Sequence, residues 1–192
     1  MAHNEDLYAV PEGIPEPPDD GACDHLPGTL LPSVPLTSTD GDPVDLSSLA
    51  GTTVVYCYPM TGRPDRDLPP GWDDIPGARG CTPQSCAFRD HHAELQALGA
   101  RVFGLSTQDT DYQREAVERL HLPFPLLSDQ GLEFAGALDL PTFEAEGMTL
   151  IKRLTLVIED GEIRHFFYPV FPPGRNAEEV VSWLSESKLE RT

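Results

Sequence analysis

The chain has 192 residues, enough for one domain with a substantial core, and its 32 acidic against 13 basic side chains give a formal charge of −19. That charge argues against nucleic acid or an anionic membrane as a partner. No run approaches the roughly 18 apolar residues of a membrane-spanning helix and Met1 to Asp6 lacks the pattern of a secretory leader, so a cytoplasmic protein is expected, whose four cysteines are too few for a disulfide scaffold.

Residues 1–28 carry Pro11, Pro15, Pro17, Pro18 and Pro27 among carboxylates, a composition that stays extended and reads as an arm lying over a domain of residues 29–192. Leu31 to Thr37 alternates, Asp40-Gly41 is a turn signal, and Val44-Asp45-Leu46 alternates again, which predicts an N-terminal β-hairpin at a sheet edge. Thr52 to Tyr58 is β-branched and aromatic with no polar face, the pattern of a central strand covered on both sides. Between Pro59 and Gly80 proline and glycine recur too often for a regular element, and a loop of that length points to function. A helix is expected over Cys81 to Leu98 with Gly99 as its stop, then a buried strand at Arg101 to Thr107 and a helix at Asp111 to Leu120. A third strand and helix follow at Pro125 to Asp129 and Leu132 to Leu138. Arg153 to Ile158 and Ile163 to Tyr168 form a second hairpin, and Asn176 caps a last helix. This order predicts an α/β fold, a mixed central sheet with helices on both faces.

Chemistry concentrates in Gly80-Cys81-Thr82-Pro83-Gln84-Ser85-Cys86. A cysteine attacks as its thiolate, and at an unperturbed pKa of about 8.5 only about 3% is ionised at pH 7. The first turn of a helix offers free N–H groups and a positive dipole end, and a neighbouring guanidinium adds to both. In an intact α-helix residues five apart lie about 7.5 Å apart along the axis and about 140° around it, some 8.7 Å between Cα atoms. A disulfide needs about 4.4–6.8 Å, so a bond between Cys81 and Cys86 requires the helix start to unwind.

The same run, with Phe88-Arg89-Asp90, resembles the signature of peroxiredoxins of the bacterioferritin comigratory protein (peroxiredoxin Q) type. Phe103-Gly104-Leu105-Ser106, Pro123 to Asp129 and Arg153 to Ile158 resemble further segments, so the likeness covers about residues 28 to 186. It implies a thioredoxin-like fold and a thiol peroxidase acting on hydrogen peroxide or organic hydroperoxides. Cys81 would be the peroxidatic thiol, Cys86 the resolving thiol, and Arg153 the cation holding thiolate and peroxide. The resulting disulfide would be reduced by thioredoxin or a glutaredoxin-like protein, with no metal or other cofactor, and a monomer suffices. The family places a proline seven residues before the reactive cysteine and a Thr or Ser three before it, where this chain has Asp74 and Ala78. Residues 59–80 then read as a long loop with an insertion after Thr61, and Thr61 is the preferred source of the missing hydroxyl, with Thr82 the alternative.

Other residues carry plainer readings. Cys57, between Tyr56 and Tyr58, packs as a small apolar residue, and Cys23, among Asp19, Asp20 and Asp24, has carboxylates that raise its pKa. His91 and His92 point about 100° apart on a helix and lack tight metal-ligand spacing. Arg63, Arg79 and Arg89 are weaker candidates than Arg153, and Trp72 either covers the pocket or anchors the insertion. Two rival functions remain, a disulfide oxidoreductase on the same fold, which more often carries C-x-x-C, and a metal-binding scaffold, which predicts stoichiometric zinc.

Overall fold

The computed structural model describes residues 6–192. The first five residues of the arm, and the leader reading that depends on them, lie outside the described residues. In chain order the strands and helices are β1 (Pro35–Ser38), β2 (Pro43–Asp45), β3 (Thr52–Cys57), α1 (Cys81–Asp90), α2 (His92–Ala97), β4 (Ala100–Ser106) and α3 (Thr110–Leu120). There follow β5 (Leu126–Ser128), α4 (Glu133–Ala137), β6 (Thr142–Ala145), β7 (Met148–Ile151), β8 (Leu154–Glu159), β9 (Glu162–Phe167) and α5 (Asn176–Glu190). Among the described residues, no helix is long and apolar enough to cross a membrane.

Seven strands make one mixed sheet in the order β2-β1-β5-β4-β3-β8-β9, with β3, β4 and β5 parallel and β8 antiparallel to β3. The expected thioredoxin-like α/β architecture is present, with β3 central and the β1–β2 hairpin at one edge. Side chains of a strand alternate between faces, and here the alternation sorts the core into two clusters. Val54, Tyr56 and Tyr58 face one cluster with Phe88 of α1, Leu95 of α2, Leu120 of α3 and Val180 of α5. Val55 and Cys57 face the other, with Leu105, Leu156, Phe134 of α4, and Cys23 and Leu26 of the arm.

One glycine fixes how α1 docks. A Cβ on Gly104 would fall 2.8 Å from Tyr56 Oη and 2.5 Å from Leu126 Cδ2, so only glycine lets the Tyr56 ring cross β4. That ring stacks on Phe88 with centroids 4.5 Å apart, and its hydroxyl donates to Ser85 Oγ at 3.1 Å. The helix carrying the cysteine pair is thereby pinned on the central strand.

The structure differs from the expected elements at four places. The single helix over Cys81 to Leu98 is two, because His91 takes φ −95° and ψ 5° between α1 and α2 and its Nδ1 turns to Glu94 at 2.8 Å. Asn176 is the first residue of α5 and caps nothing, since its Oδ1 is drawn inward to Thr155 and Gln84. The loop over 59–80 contains one 3-10 turn, Trp72–Asp74. The β6–β7 hairpin was not expected, because its turn, Glu146-Gly147, lacks the usual Asn or Asp although both residues adopt positive φ, 49° and 74°.

Candidate active site: a buried thiol against a guanidinium

Cys81 opens α1, and Gly80 before it has φ 110°, a left-handed conformation that turns the long loop into the helix without a Cβ penalty. The thiol is 3% exposed. Arg153, immediately before β8 and likewise 3% exposed, brings Nη2 to 3.2 Å from Cys81 Sγ. The pairing of β8 with β3 sets this position, because Leu154 lies opposite Cys57 at the end of the central strand.

The guanidinium is held from several directions. Nη2 also donates to the carbonyls of Gly77, Ala78 and Arg79, each at 3.2 Å, and Nη1 donates to Gln84 Oε1 at 2.5 Å. Gln84 Nε2 in turn donates to Asn176 Oδ1 at 3.1 Å, which also accepts from Thr155 Oγ1 at 2.6 Å. None of these acceptors is a carboxylate. A buried cation is costly unless a negative charge balances it, and a thiolate at Cys81 supplies that charge. As a thiol, Cys81 instead points its proton at the Ala78 carbonyl, 3.7 Å away.

Thr61 lies in the segment leaving β3 and is 1% exposed, with no hydrogen-bond partner for its hydroxyl. Its carbonyl accepts from Tyr112 Oη at 2.6 Å, while Pro59 O accepts from Gln108 Nε2 at 2.7 Å and Gly62 O from Arg119 Nη2 at 2.9 Å. Burial pushes the Tyr112 phenol up to about 12, with a further upward contribution from Cys81, so this tether sits within electrostatic reach of the sulfur. Ala78, where the resemblance implies a hydroxyl residue, packs instead with Met60, Trp72 and Leu150. Asp74 is exposed and Thr82 is buried.

Cys86 is half-buried on the same intact helix, all four cysteines are free, and burial pushes its thiol up. The two sulfurs therefore belong to the reduced form, with the pair still held apart by helical geometry. Cys57 is fully buried and its thiol is pushed far up by desolvation. Cys23 is pushed up to about 12, first by burial and then by Asp20, Asp24 and Asp19.

The other candidates lie in structural contacts. Arg63 pairs with Asp65 at 2.8 Å, Arg79 with Asp73 at 2.9 Å, and Arg89 with Asp90 at 2.9 Å and the Leu120 carbonyl. His91 pairs with Glu94, and His92 lies 5.6 Å from the Phe124 ring. Trp72 is 3% exposed and packs against Ala78 and Phe143, so it anchors the loop over 59–80. Gln84 and Tyr112 carry no site reading in the sequence, and Asn176 carries only that of a helix cap. Gln84 stands three residues after Cys81, on the same side of a helix, and that spacing was the available signal.

Residues 26–181 match the Redoxin family. The chain is 32% identical over 164 residues to Peroxiredoxin Bcp of Escherichia coli, covering 83% of this chain and 95% of the relative. It is 29% identical over 188 residues to the chloroplastic Peroxiredoxin Q of Gentiana triflora, covering 94% of this chain and 79% of that one. The crystal structure of peroxidoxin BcpB from Mycobacterium tuberculosis superposes with a TM-score of 0.67 at 25% identity, covering 84% of this chain and 98% of the other. A thiol at a helix start, an arginine just before the antiparallel strand beside β3 and these relatives lead to one assignment: the chain belongs to the Redoxin family and is a peroxiredoxin of the peroxiredoxin Q/Bcp type.

Proposed function

We propose that Cys81 is the peroxidatic residue of a thiol-dependent peroxidase, resolved by Cys86 within the same subunit. The observation that carries this is the 3.2 Å contact between Arg153 Nη2 and Cys81 Sγ at the start of α1. The thiolate attacks one peroxide oxygen, forming an S–O bond as the O–O bond breaks, and the departing oxygen takes a proton to leave as water or alcohol. Arg153 stabilises the negative charge as it moves from sulfur to the leaving oxygen. The unpaired hydroxyl of Thr61 is the donor that orients the peroxide, in place of the one absent at Ala78. The Cys86 thiol then displaces water from the sulfenic acid, forming the disulfide once the first turns of α1 unwind, and an external dithiol of the thioredoxin or glutaredoxin type reduces it.

Residues 29–192 form the catalytic domain in this reading, with 59–80 as a loop bearing an insertion and 1–28 as an arm. Intramolecular resolution makes a monomer sufficient, and the acidic protein is assigned to the cytoplasm. A cleft of about 320 Å³ beside Arg153, walled by Ile75, Pro76, Phe143 and Tyr168, offers apolar surface to the substituent of an organic hydroperoxide.

The test is rapid-mixing peroxide reduction. Cys81→Ser loses the reaction, whereas Cys86→Ser reacts once, leaves a trappable sulfenic acid and loses thioredoxin-driven turnover. Retained peroxidase activity in Cys81→Ser would falsify the assignment.

A further inference from the structure

On the peroxidase reading, disulfide formation depends on the start of α1 unfolding. For Cys81 and Cys86 to meet, Cys81 to Ser85 must leave their helical positions. The arm crosses this segment. Arg79 Nη2 donates to the Asp6 carbonyl at 3.2 Å, and a Cβ placed on Gly80 would stand 3.3 Å from Val10 Cγ2. Leu7 fills the space beside Gly62, with Cδ2 2.6 Å from a Cβ placed there. Tyr8 lies among Arg89 and Arg119, and those two guanidiniums also flank Cys86. Asp6 to Val10 therefore reaches from the neighbourhood of the resolving thiol to the glycine that precedes the peroxidatic one.

The arm is also fastened beyond the crossing. Pro17 packs against Gly77, Asp20 accepts from Tyr168 Oη at 2.9 Å and pairs with Lys152 at 3.4 Å, and Cys23 and Leu26 are fully buried. A segment anchored at Leu26 and laid over Gly80 loses contacts whenever α1 opens.

We infer that residues 6–10 are a strap that holds the start of α1 folded and slows formation of the Cys81–Cys86 disulfide without slowing attack on peroxide. Two reactions compete for the sulfenic acid. Condensation with Cys86 converts Cys–SOH and HS–Cys to a disulfide and water. A second peroxide converts Cys–SOH and ROOH to the sulfinic acid and ROH. A strap that delays the first lengthens exposure to the second.

Stopped-flow fluorescence separates the steps, with Trp72, packed against Ala78, as reporter. The full chain is compared with a chain lacking residues 1–10 and with Leu7→Ser/Val10→Ser, which keeps the arm's length. Each altered protein is expected to form the disulfide about three- to tenfold faster, with the peroxide phase unchanged. Each should also need more peroxide before mass spectrometry detects sulfinic Cys81. An unchanged or slower disulfide phase in Leu7→Ser/Val10→Ser overturns the strap, and that variant decides the matter if the truncated chain fails to fold. Loss of the peroxide phase from the unaltered chain would instead count against the peroxidase reading.

Discussion

Cys57 and Cys81 are both buried thiols, at 0% and 3% exposure, and they belong to clusters on opposite faces of one sheet. Around Cys57 the neighbours are Val55, Leu105, Leu154 and other apolar groups, and desolvation, with smaller contributions from Asp129 and Cys23, pushes its thiol far up. Around Cys81 stand a guanidinium with fixed donors, the first turn of α1 and the ends of the loop that precedes it. Burial without a cation makes a thiol inert. Burial against a cation whose other acceptors are neutral makes the same group the natural counter-charge. The difference lies in β8, which places Leu154 opposite Cys57 and so brings Arg153 past the strand end.

The strongest way to break this contrast is to remove the cation. Arg153→Met should lower kcat/KM for peroxide about 10²- to 10³-fold, the usual loss for a donor aimed at developing charge, with iodoacetamide labelling of Cys81 at pH 7 slowing in parallel. Arg153→Lys should recover little, because an ammonium cannot span Sγ, the three carbonyls and Gln84 Oε1 together. Undiminished turnover in Arg153→Met would remove the guanidinium from the mechanism. Thr61→Val comes next, at about tenfold in kcat/KM, since it deletes one hydroxyl donor and nearly conserves volume. If Thr61→Val retains wild-type activity and Thr82→Val does not, the hydroxyl belongs to Thr82. Gln84→Met should cost about three- to tenfold, because Arg153 stays charged and loses one of its restraints. Its signature is a fall in kcat/KM with Cys81 labelling still faster than that of Cys57.

The frame of this site was legible in the sequence because its signals are local. Thr52 to Tyr58 reads as a strand from β-branched and aromatic content, and Cys81 reads as a helix start from the residues around it. Arg153 stands 72 residues from Cys81, and only the family resemblance pointed to it. Asn176 shows the limit from the other side. At a helix start its residue type says cap, but Thr155 and Gln84 claim its side chain, and that competition exists only once β8 and α5 pack. The missing hydroxyl was illegible for a related reason. A long loop separates Thr61 from Cys81, and only the unpaired, buried Oγ1 distinguishes Thr61 from other loop residues.

The smallest expected effect sharpens the contrast from the inert side. Cys57 is flanked on its strand by Tyr56 and Tyr58, which face the other cluster, so Cys57→Ala removes one sulfur from the core and touches nothing beside Cys81. Peroxidase activity should stay within about twofold, with stability lower by about 1 kcal/mol for the small void. In the unaltered protein, iodoacetamide should label Cys81 at pH 7 and reach Cys57 only after denaturation, as read by peptide mass mapping. Native labelling of Cys57 at a rate matching Cys81 would mean that the guanidinium is not what separates the two thiols.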